Sequence, residues 1–482
     1  MSYKVFEFKD KKILYDLNTD SIIQVDDKLT YDILKFAGKY DIVDLYKQIS
    51  RKHAGVKESK IVETIKPLKD AGFFISPPPN FSQLKNLKQK LMRHRPSKIQ
   101  LCVTQGCNLA CIYCYAEESG SNAKNQLMSF ETAKQSVDYL VRISGSQKNL
   151  SIQFFGGEPL MNFELIKKVV EYTNSLSKKI KKNFHYGIST NCTLLTEEVQ
   201  NYLVENRFGI LVSVDGDEEI HNRQRPFRDG RDSYKIVIKN AIALNEKYLK
   251  EKRLTPPRIR ANIINGNANR LAEITDSFAD LGFKAIGIAP IMERLGDNAP
   301  LGMDDEALDK WNKQADDQFC YWLDRTEKGK EVKNAYIKRE VQRRFDMLKS
   351  KRIFGGVRCG VGRNVNTVDV DGNIYPCHRY PGMDKYIIGN VYTGLNREKI
   401  SSYYDDIMNN MLKNCSTCWL RFKCGGPCPW QVSAEEGNIC PSDKLSCDDR
   451  KHSFKQGAYM YVHLSQRKPE ALERYIKKEL VD

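Results

Sequence analysis

The stretch Ile99–Glu117, "IQLCVTQGCNLACIYCYAE", decides how the rest of the chain is read. It opens on a short apolar run, Ile99–Val103, a strand by its composition. Three cysteines follow at once, Cys107, Cys111 and Cys114, with gaps of three residues and then two. Parallel α/β folds gather their chemistry just past the C-terminal ends of the strands, which is where these thiols fall. Three thiols are one short of the four ligands of a structural zinc site. They are enough for three irons of a four-iron cluster, with the fourth iron open to a small molecule.

The rhythm from Lys98 onward supports a strand here. Strand patterns recur at Ile99–Val103, Leu150–Phe155, His185–Thr190, Ile210–Val214, Ile259–Ile264 and Ala285–Ala289. Helical periodicity lies between them, as in Phe130–Ile143, Phe163–Leu176 and Tyr234–Lys247. Six β/α units in series predict a parallel sheet, open or closed into a partial (β/α)6 barrel, over residues 98–303. A charged helical connection, residues 304–349, leads out of it.

Residues 1–78 read as a separate α+β unit. Val5–Phe8, Ile13–Tyr15 and Ile22–Val25 are strand patterns, and Leu29–Phe36, Ile42–Ser50 and Ser59–Ala71 are helical, with Pro67 expected to kink or shorten the last. "FFIS" after Gly72 reads as a final strand, so the unit is winged-helix-like. It holds little charge: residues 1–80 contain 14 lysines and arginines against 12 acidic residues, a surplus of two. That is weak for binding phosphates, and weighs against nucleic acid as a partner. An extended peptide added to a sheet edge suits such a unit better. "SPPPN" marks the boundary, and residues 79–97 form a basic linker with Lys85, Lys88, Lys90, Arg93 and Arg95.

The last third is rich in cysteine. Cys359, Cys377, Cys415, Cys418, Cys424, Cys428, Cys440 and Cys447 lie within 89 residues, and "VNTVDVDGNIYPC" reads as a hairpin turning at Asp371-Gly372. A region with so little apolar periodicity needs metal to hold it. Residues 450 and below close this part, and 451–482 read as a helical tail.

The 482 residues imply two or three domains. No run of 18 apolar residues occurs and the first residues lack an apolar signal core, so the expectation is a cytoplasmic protein without a membrane span. In a reducing compartment the 14 cysteines point to metal or redox roles before disulfides. The net charge of +16 fits a basic surface or an acidic partner equally well.

Cys107-x3-Cys111-x2-Cys114, with Tyr113 just before the last cysteine, resembles the motif of the radical S-adenosylmethionine (radical SAM) enzymes. The resemblance continues through the strand ends in order. Gly156, Gly157, Glu158 and Pro159 end the second strand, where in that superfamily the backbone receives the cofactor's methionine amino group. Ser189 and Asn191 of "STN" end the third, where the family contacts the ribose. Ser213 of "SVDG" ends the fourth, matching a polar position near the cofactor carboxylate. The resemblance implies a 4Fe-4S cluster on Cys107, Cys111 and Cys114, with S-adenosyl-L-methionine on its open iron.

Cys359, Gly372-x4-Cys377, Cys415-x2-Cys418-x5-Cys424-x3-Cys428 and Cys447 together resemble the SPASM extension of radical enzymes that modify peptides and proteins. This implies a C-terminal iron–sulfur domain, residues 350–450, with two auxiliary 4Fe-4S clusters and so three clusters in all. Cys415, Cys418, Cys424 and Cys447 match the outer one; Cys359, Cys377 and Cys428 match three ligands of the inner one. Cys440 completes the inner cluster, replaces Cys447 at the outer one, or is a spectator; the sequence leaves these open. Cys102, Cys192 and Cys320 have no matched partner and read as core cysteines.

The N-terminal unit is similar to the recognition element of enzymes that modify ribosomally made precursor peptides. In this order the three parts resemble sactipeptide and ranthipeptide maturases, which join a peptide cysteine sulfur to carbon. The implied partners are a cysteine-containing precursor peptide, its leader bound to residues 1–78, and an electron donor such as flavodoxin or ferredoxin. Carbon–carbon crosslinking, epimerisation and anaerobic sulfatase maturation are the neighbouring alternatives. Sulfatase maturases place an acid after the cysteine matched by Cys377; here it is His378, a candidate catalytic residue. A winged-helix, metal-dependent regulator is the alternative from a different class.

Overall fold

The structure, a computed structural model, describes residues 2–75, 81–93, 95–118, 126–251, 254–291, 301–350, 365–426, 428–430 and 444–477. Cys359 and Cys440 lie outside these residues.

Strands β1 (Tyr3–Phe8), β2 (Lys11–Asp16) and β3 (Ser21–Val25) form an antiparallel meander, with Val5 and Ile23 both opposite Leu14. Period-two alternation sends Tyr3, Val5, Leu14 and Val25 to one face and Phe6, Phe8, Ile13 and Tyr15 to the other. Helices α1 (Lys28–Phe36), α2 (Ile42–Ser50) and α3 (Glu58–Asp70) follow. Asp27 and Asp41 cap the first two by accepting the Thr30 and Asp44 amides at 2.8 and 2.9 Å. Tyr31 and Leu34 of α1 pack on the first face of the sheet. Pro67 sits near the end of α3, which runs on to Asp70.

The expected strand in "FFIS" is not formed at Phe73 and Phe74. Phe74 has a left-handed φ of 66°, and its amide donates to the Asp16 carboxylate at 2.9 Å while its carbonyl accepts from the Ser2 hydroxyl at 2.9 Å. Side chains have taken the backbone groups that a strand partner would need. The basic linker is likewise corrected. Residues Phe81–Arg93 form helix α4, with Leu91 buried and Leu87 packed against the main core.

The central part follows the expected rhythm. In chain order it runs β4 (Lys98–Thr104), α5 (Tyr115–Glu118), α6 (Phe130–Ser144), β5 (Asn149–Gly156), α7 (Phe163–Ile180), β6 (Asn183–Thr190), α8 (Glu197–Glu205), β7 (Gly209–Ser213), α9 (Glu218–Gln224), α10 (Tyr234–Lys250), β8 (Arg258–Ile263), α11 (Leu271–Asp280) and β9 (Ala285–Pro290). The six strands lie parallel in sequence order, and the sheet does not close. Ile99, Leu101, Ile152, Phe154, Val212 and Ile259 are wholly buried on one face. Gln100, Gln153, Ser189, Ser213 and Arg260 alternate with such residues and are half-buried on the other, so one face of the sheet is core and the other polar.

Helices α12 (Asp305–Glu327) and α13 (Ala335–Lys349) form the expected connection. Then β10 (Val365–Val368) and β11 (Asn373–Tyr375) make the expected hairpin, with Gly372 at φ 85° in its turn. The hairpin extends the central sheet. β10 pairs parallel to β4, Val365 opposite Lys98, and β12 (Gly389–Asn390) and β13 (Gly394–Leu395) follow to make a ten-stranded order 13-12-11-10-4-5-6-7-8-9.

Helices α14 (Arg397–Cys415), α15 (Arg421–Cys424), α16 (Lys444–Arg467) and α17 (Pro469–Lys477) complete the chain. Lys88 of α4 meets Asp405 of α14 at 2.5 Å. The boundary expected at residue 450 falls inside α16, so Cys447 and the tail share one helix. That helix packs against the N-terminal sheet: Tyr15 lies 4.6 Å from Phe454 between ring centroids, and the Asp10 carboxylate accepts from the Tyr459 hydroxyl at 2.9 Å; Trp419, just before α15, adds a ring 6.1 Å from Tyr15.

Candidate active site at the strand ends

The motifs picked out in the sequence converge at the C-terminal ends of β4, β5, β6 and β7. The turn Gly156-Gly157 lies directly on the loop that leads to Cys107. The Gly157 amide donates to the Thr104 carbonyl at 3.0 Å and the Glu158 amide to the Gly106 carbonyl at 2.9 Å. A Cβ at Gly156, where φ is 139°, would stand 2.2 Å from the Thr104 oxygen, and one at Gly157 would stand 2.1 Å from the Gly106 oxygen. Both positions exclude any side chain.

Glu158 is buried and ties β5 to β6. Its carboxylate accepts from the Asn191 amide at 2.7 Å, the Thr190 hydroxyl at 2.8 Å and the Leu160 amide at 3.1 Å. Burial pushes its pKa up to about 7 against the pull of these donors. The Asn191 side-chain amide donates to Asn108 Oδ1 at 2.9 Å and lies 3.8 Å from Cys107 Sγ. Pro159 is buried behind this turn, and Ser189 and Ser213 are half-buried at the ends of β6 and β7.

Asp215, inside "SVDG", is a partner that sequence reading missed. It is fully buried, and its carboxylate accepts the Tyr113 phenol, Gln224 Nε2 at 2.9 Å, Arg225 Nε at 2.8 Å and Nη2 at 3.1 Å, and the Asn262 amide at 2.8 Å. Burial alone would raise its pKa; Arg225 and the other donors hold it below the usual carboxylate range. The segment that supplies Arg225 also clamps the cysteine loop. Ala110 donates to the Pro226 carbonyl at 2.8 Å, Ile112 to that of Gln224 at 3.1 Å, and Arg228 Nε to that of Cys107 at 2.6 Å. The only signal in the sequence was the run of polar residues "DGDEEIHNRQR" after the fourth strand.

The three thiols fit an iron–sulfur cluster by their chemistry. Burial pushes Cys107 up to about 12, with Glu158 and the two neighbouring thiols adding to it. Burial pushes Cys111 up to about 11 against the pull of Arg225. Thiols crowded in this way keep their protons unless a metal replaces them. Among the described residues no three His, Cys, Asp or Glu side chains form a ready single-ion site; a four-iron cluster instead takes each thiolate at a separate iron.

The C-terminal cysteines show the same pattern. Burial pushes Cys415 up to about 12, followed by the charges of Cys424, Cys447 and Cys418, so these four thiols stand near one another. The Leu420 amide lies 3.4 Å from Cys418 Sγ and Arg450 Nη1 lies 3.8 Å from Cys424 Sγ. Cys377 and Cys428 pack against the main core. His378 Nδ1 is 3.8 Å from Cys377 Sγ, and its ring lies 4.9 Å from Phe155 and 6.0 Å from Tyr115. Burial lowers its pKa to about 3, with Arg379, Arg260 and Lys98 adding to the shift, so it stays neutral. Cys102 and Cys192 are buried as expected. Cys320 is not a core residue: it is exposed on α12.

A family model for the radical SAM superfamily matches residues 101–256. The chain belongs to this superfamily and is a radical SAM enzyme. It is 32% identical over 235 residues to an uncharacterized protein of Methanocaldococcus jannaschii, across 46% of this chain and 77% of that one. It is 26% identical over 451 residues to the radical SAM cyclopropyl synthase TigE of Paramaledivibacter caminithermalis, across 89% and 88% of the two chains. It is also 26% identical over 343 residues to a cysteine-type anaerobic sulfatase-maturating enzyme of Clostridium perfringens, across 67% of this chain and 86% of that one. Among solved structures, native anSMEcpe with bound AdoMet and Cp18Cys peptide shares the fold, with a TM-score of 0.60 at 22% identity over 79% of this chain and 99% of that one. No helix among the described residues is long and apolar enough to cross a membrane.

Proposed function

We propose that this enzyme matures a ribosomally made precursor peptide by joining a cysteine sulfur to carbon. The observation that carries the reading is the N-terminal unit. Its strand β3 pairs only with β2 among the described residues, and Ile23 on it is 37% exposed. The whole sheet rests on α16, the helix that bears Cys447. An extended leader segment added along β3 would deliver its core toward the cysteine-rich end of the central sheet. The likeness to the radical SAM cyclopropyl synthase TigE extends over 89% of this chain.

In this reading Cys107, Cys111 and Cys114 hold the cluster that binds S-adenosylmethionine. When bound, that pair supplies a one-electron cleavage and the power to take hydrogen from an unactivated carbon. The chain does the rest. The Asn191 and Arg225 side chains direct N–H groups toward the sulfurs of Cys107 and Cys111. Gly156 and Gly157 bring bare backbone to the site, and Ser189, Asn191 and Ser213 offer polar contacts to the cofactor's ribose and carboxylate. Cys415, Cys418, Cys424 and Cys447 hold one auxiliary cluster. Cys377, Cys428 and Cys359 hold the other, with a position for the substrate thiolate. A flavodoxin or ferredoxin supplies the electron.

Sulfatase maturation is the second reading, favoured by the relatives of that name, which align over 67–73% of this chain. Leader dependence separates the two. The substrate would be the peptide encoded by a short cysteine-bearing reading frame beside the gene. Intact peptide should turn over at low KM, and the same core without its leader should lose most of its kcat/KM. Equal turnover of the bare core would refute recognition by residues 1–78.

A further inference from the structure

The Asp215 carboxylate and the Arg225 guanidinium are both buried, and their pairing is more than a strut. Two nitrogens of Arg225 are spent on Asp215, at 2.8 and 3.1 Å. The third, Nη1, is aimed at Cys111 Sγ at 3.9 Å. The guanidinium also lies 5.4 Å from the centroid of the Tyr113 ring, whose hydroxyl donates to the same carboxylate. The cation is therefore fixed from two sides beside a thiol of the cysteine motif. Behind it His221 completes the frame. Its Nδ1 accepts the Asp215 amide at 3.2 Å, its Nε2 faces Ser233 Oγ at 3.1 Å, and that hydroxyl donates to the Arg225 carbonyl at 2.6 Å.

We infer that Arg225 and Asp215 form a charge-balanced positioning pair that sets the reduction potential of the cluster on Cys107, Cys111 and Cys114. The inference rests on the assignment of that cluster to these thiols. Reduction adds one negative charge to a cluster, so a fixed cation and an N–H donor beside a ligating sulfur favour the reduced form. The buried carboxylate one bond further out opposes that effect and limits it. The pair thereby lets the chain place a positive charge next to the cluster without leaving an unpaired ion in the core. A merely structural pair would hold the loop with no preference for either oxidation state.

The experiment is an EPR-monitored redox titration of the reconstituted full chain, following the reduced-cluster signal that S-adenosylmethionine perturbs. Its absence from the unmodified enzyme would overturn the cluster assignment itself, and the inference with it. With the signal present, R225Q should move the midpoint to more negative potential and D215N to more positive potential. R225K, which keeps the charge, should lie nearer the unmodified enzyme than R225Q. The double variant R225Q/D215N, which keeps the charge balance, should lie between the two single variants, and it decides the matter with R225K if a single variant does not hold its cluster. Shifts of the same sign in both single variants would overturn the inference. So would unchanged midpoints, or a double variant that equals R225Q.

Discussion

A single Cβ decides the register of the site. At Gly157 it would fall 2.1 Å from the Gly106 carbonyl oxygen, which is backbone and cannot rotate away. Gly157→Ala should push the cysteine loop outward, destabilise the fold by roughly 1–3 kcal/mol and cut cluster loading, read by thermal melting and iron content. Replacing Cys107, Cys111 and Cys114 together by Ala should abolish 5′-deoxyadenosine formation; product above background would reject them as the ligand set. His221 gives a pH prediction. Burial lowers its pKa to about 4 from an ordinary 6.5, with Arg225 adding to the shift, so the unfolded chain takes up a proton that the folded chain refuses. Its contribution to stability is thus present above pH 6.5 and lost as pH falls toward 4. His221→Asn, which keeps an acceptor near Nδ1, should flatten that acid limb in denaturation curves measured at several pH values. At this scale the sequence made the cysteines and glycines legible, because their roles are local. Asp215 was not, because its partners Tyr113, Gln224, Arg225 and Asn262 come together only through the fold.

Strands and helices differ in how openly they declare themselves. The six parallel strands were readable because each is a short apolar run between helical periods. The pairing of β10 with β4 was not, since Val365 and Lys98 meet across the whole central domain and no local pattern records it. The basic stretch 79–97 hid a helix: Leu87 and Leu91 form an i, i+4 pair, but the lysines and arginines around them suggested a solvated connector. "FFIS" failed as a strand because Asp16 and Ser2 took its backbone groups. The N-terminal sheet is held on α16 and the segment beside it by aromatic packing, and Tyr15 is the centre of that contact. Tyr15→Ala removes a side chain that is 1% exposed and should cost about 3 kcal/mol or more. Urea denaturation would measure the loss, and faster proteolytic release of residues 1–75 would show that it loosens this element first.

Across the whole molecule, the N-terminal sheet rests on α16, the helix that bears Cys447, and the half-buried thiols of Cys107, Cys111 and Cys114 follow β4 of the central sheet. The proposed set of three four-iron clusters predicts about twelve irons per chain, and replacing Cys415, Cys418 and Cys424 by Ala should remove about four of them while leaving the deoxyadenosine chemistry at the strand ends measurable. The most direct test is mass spectrometry of the cysteine-bearing peptide after co-expression with the enzyme, with free thiols alkylated before measurement. The account predicts a product lighter by two hydrogens per crosslink, with the bridged cysteines refractory to alkylation. Conversion of a cysteine to formylglycine, or an unchanged mass with every cysteine alkylated, would contradict it.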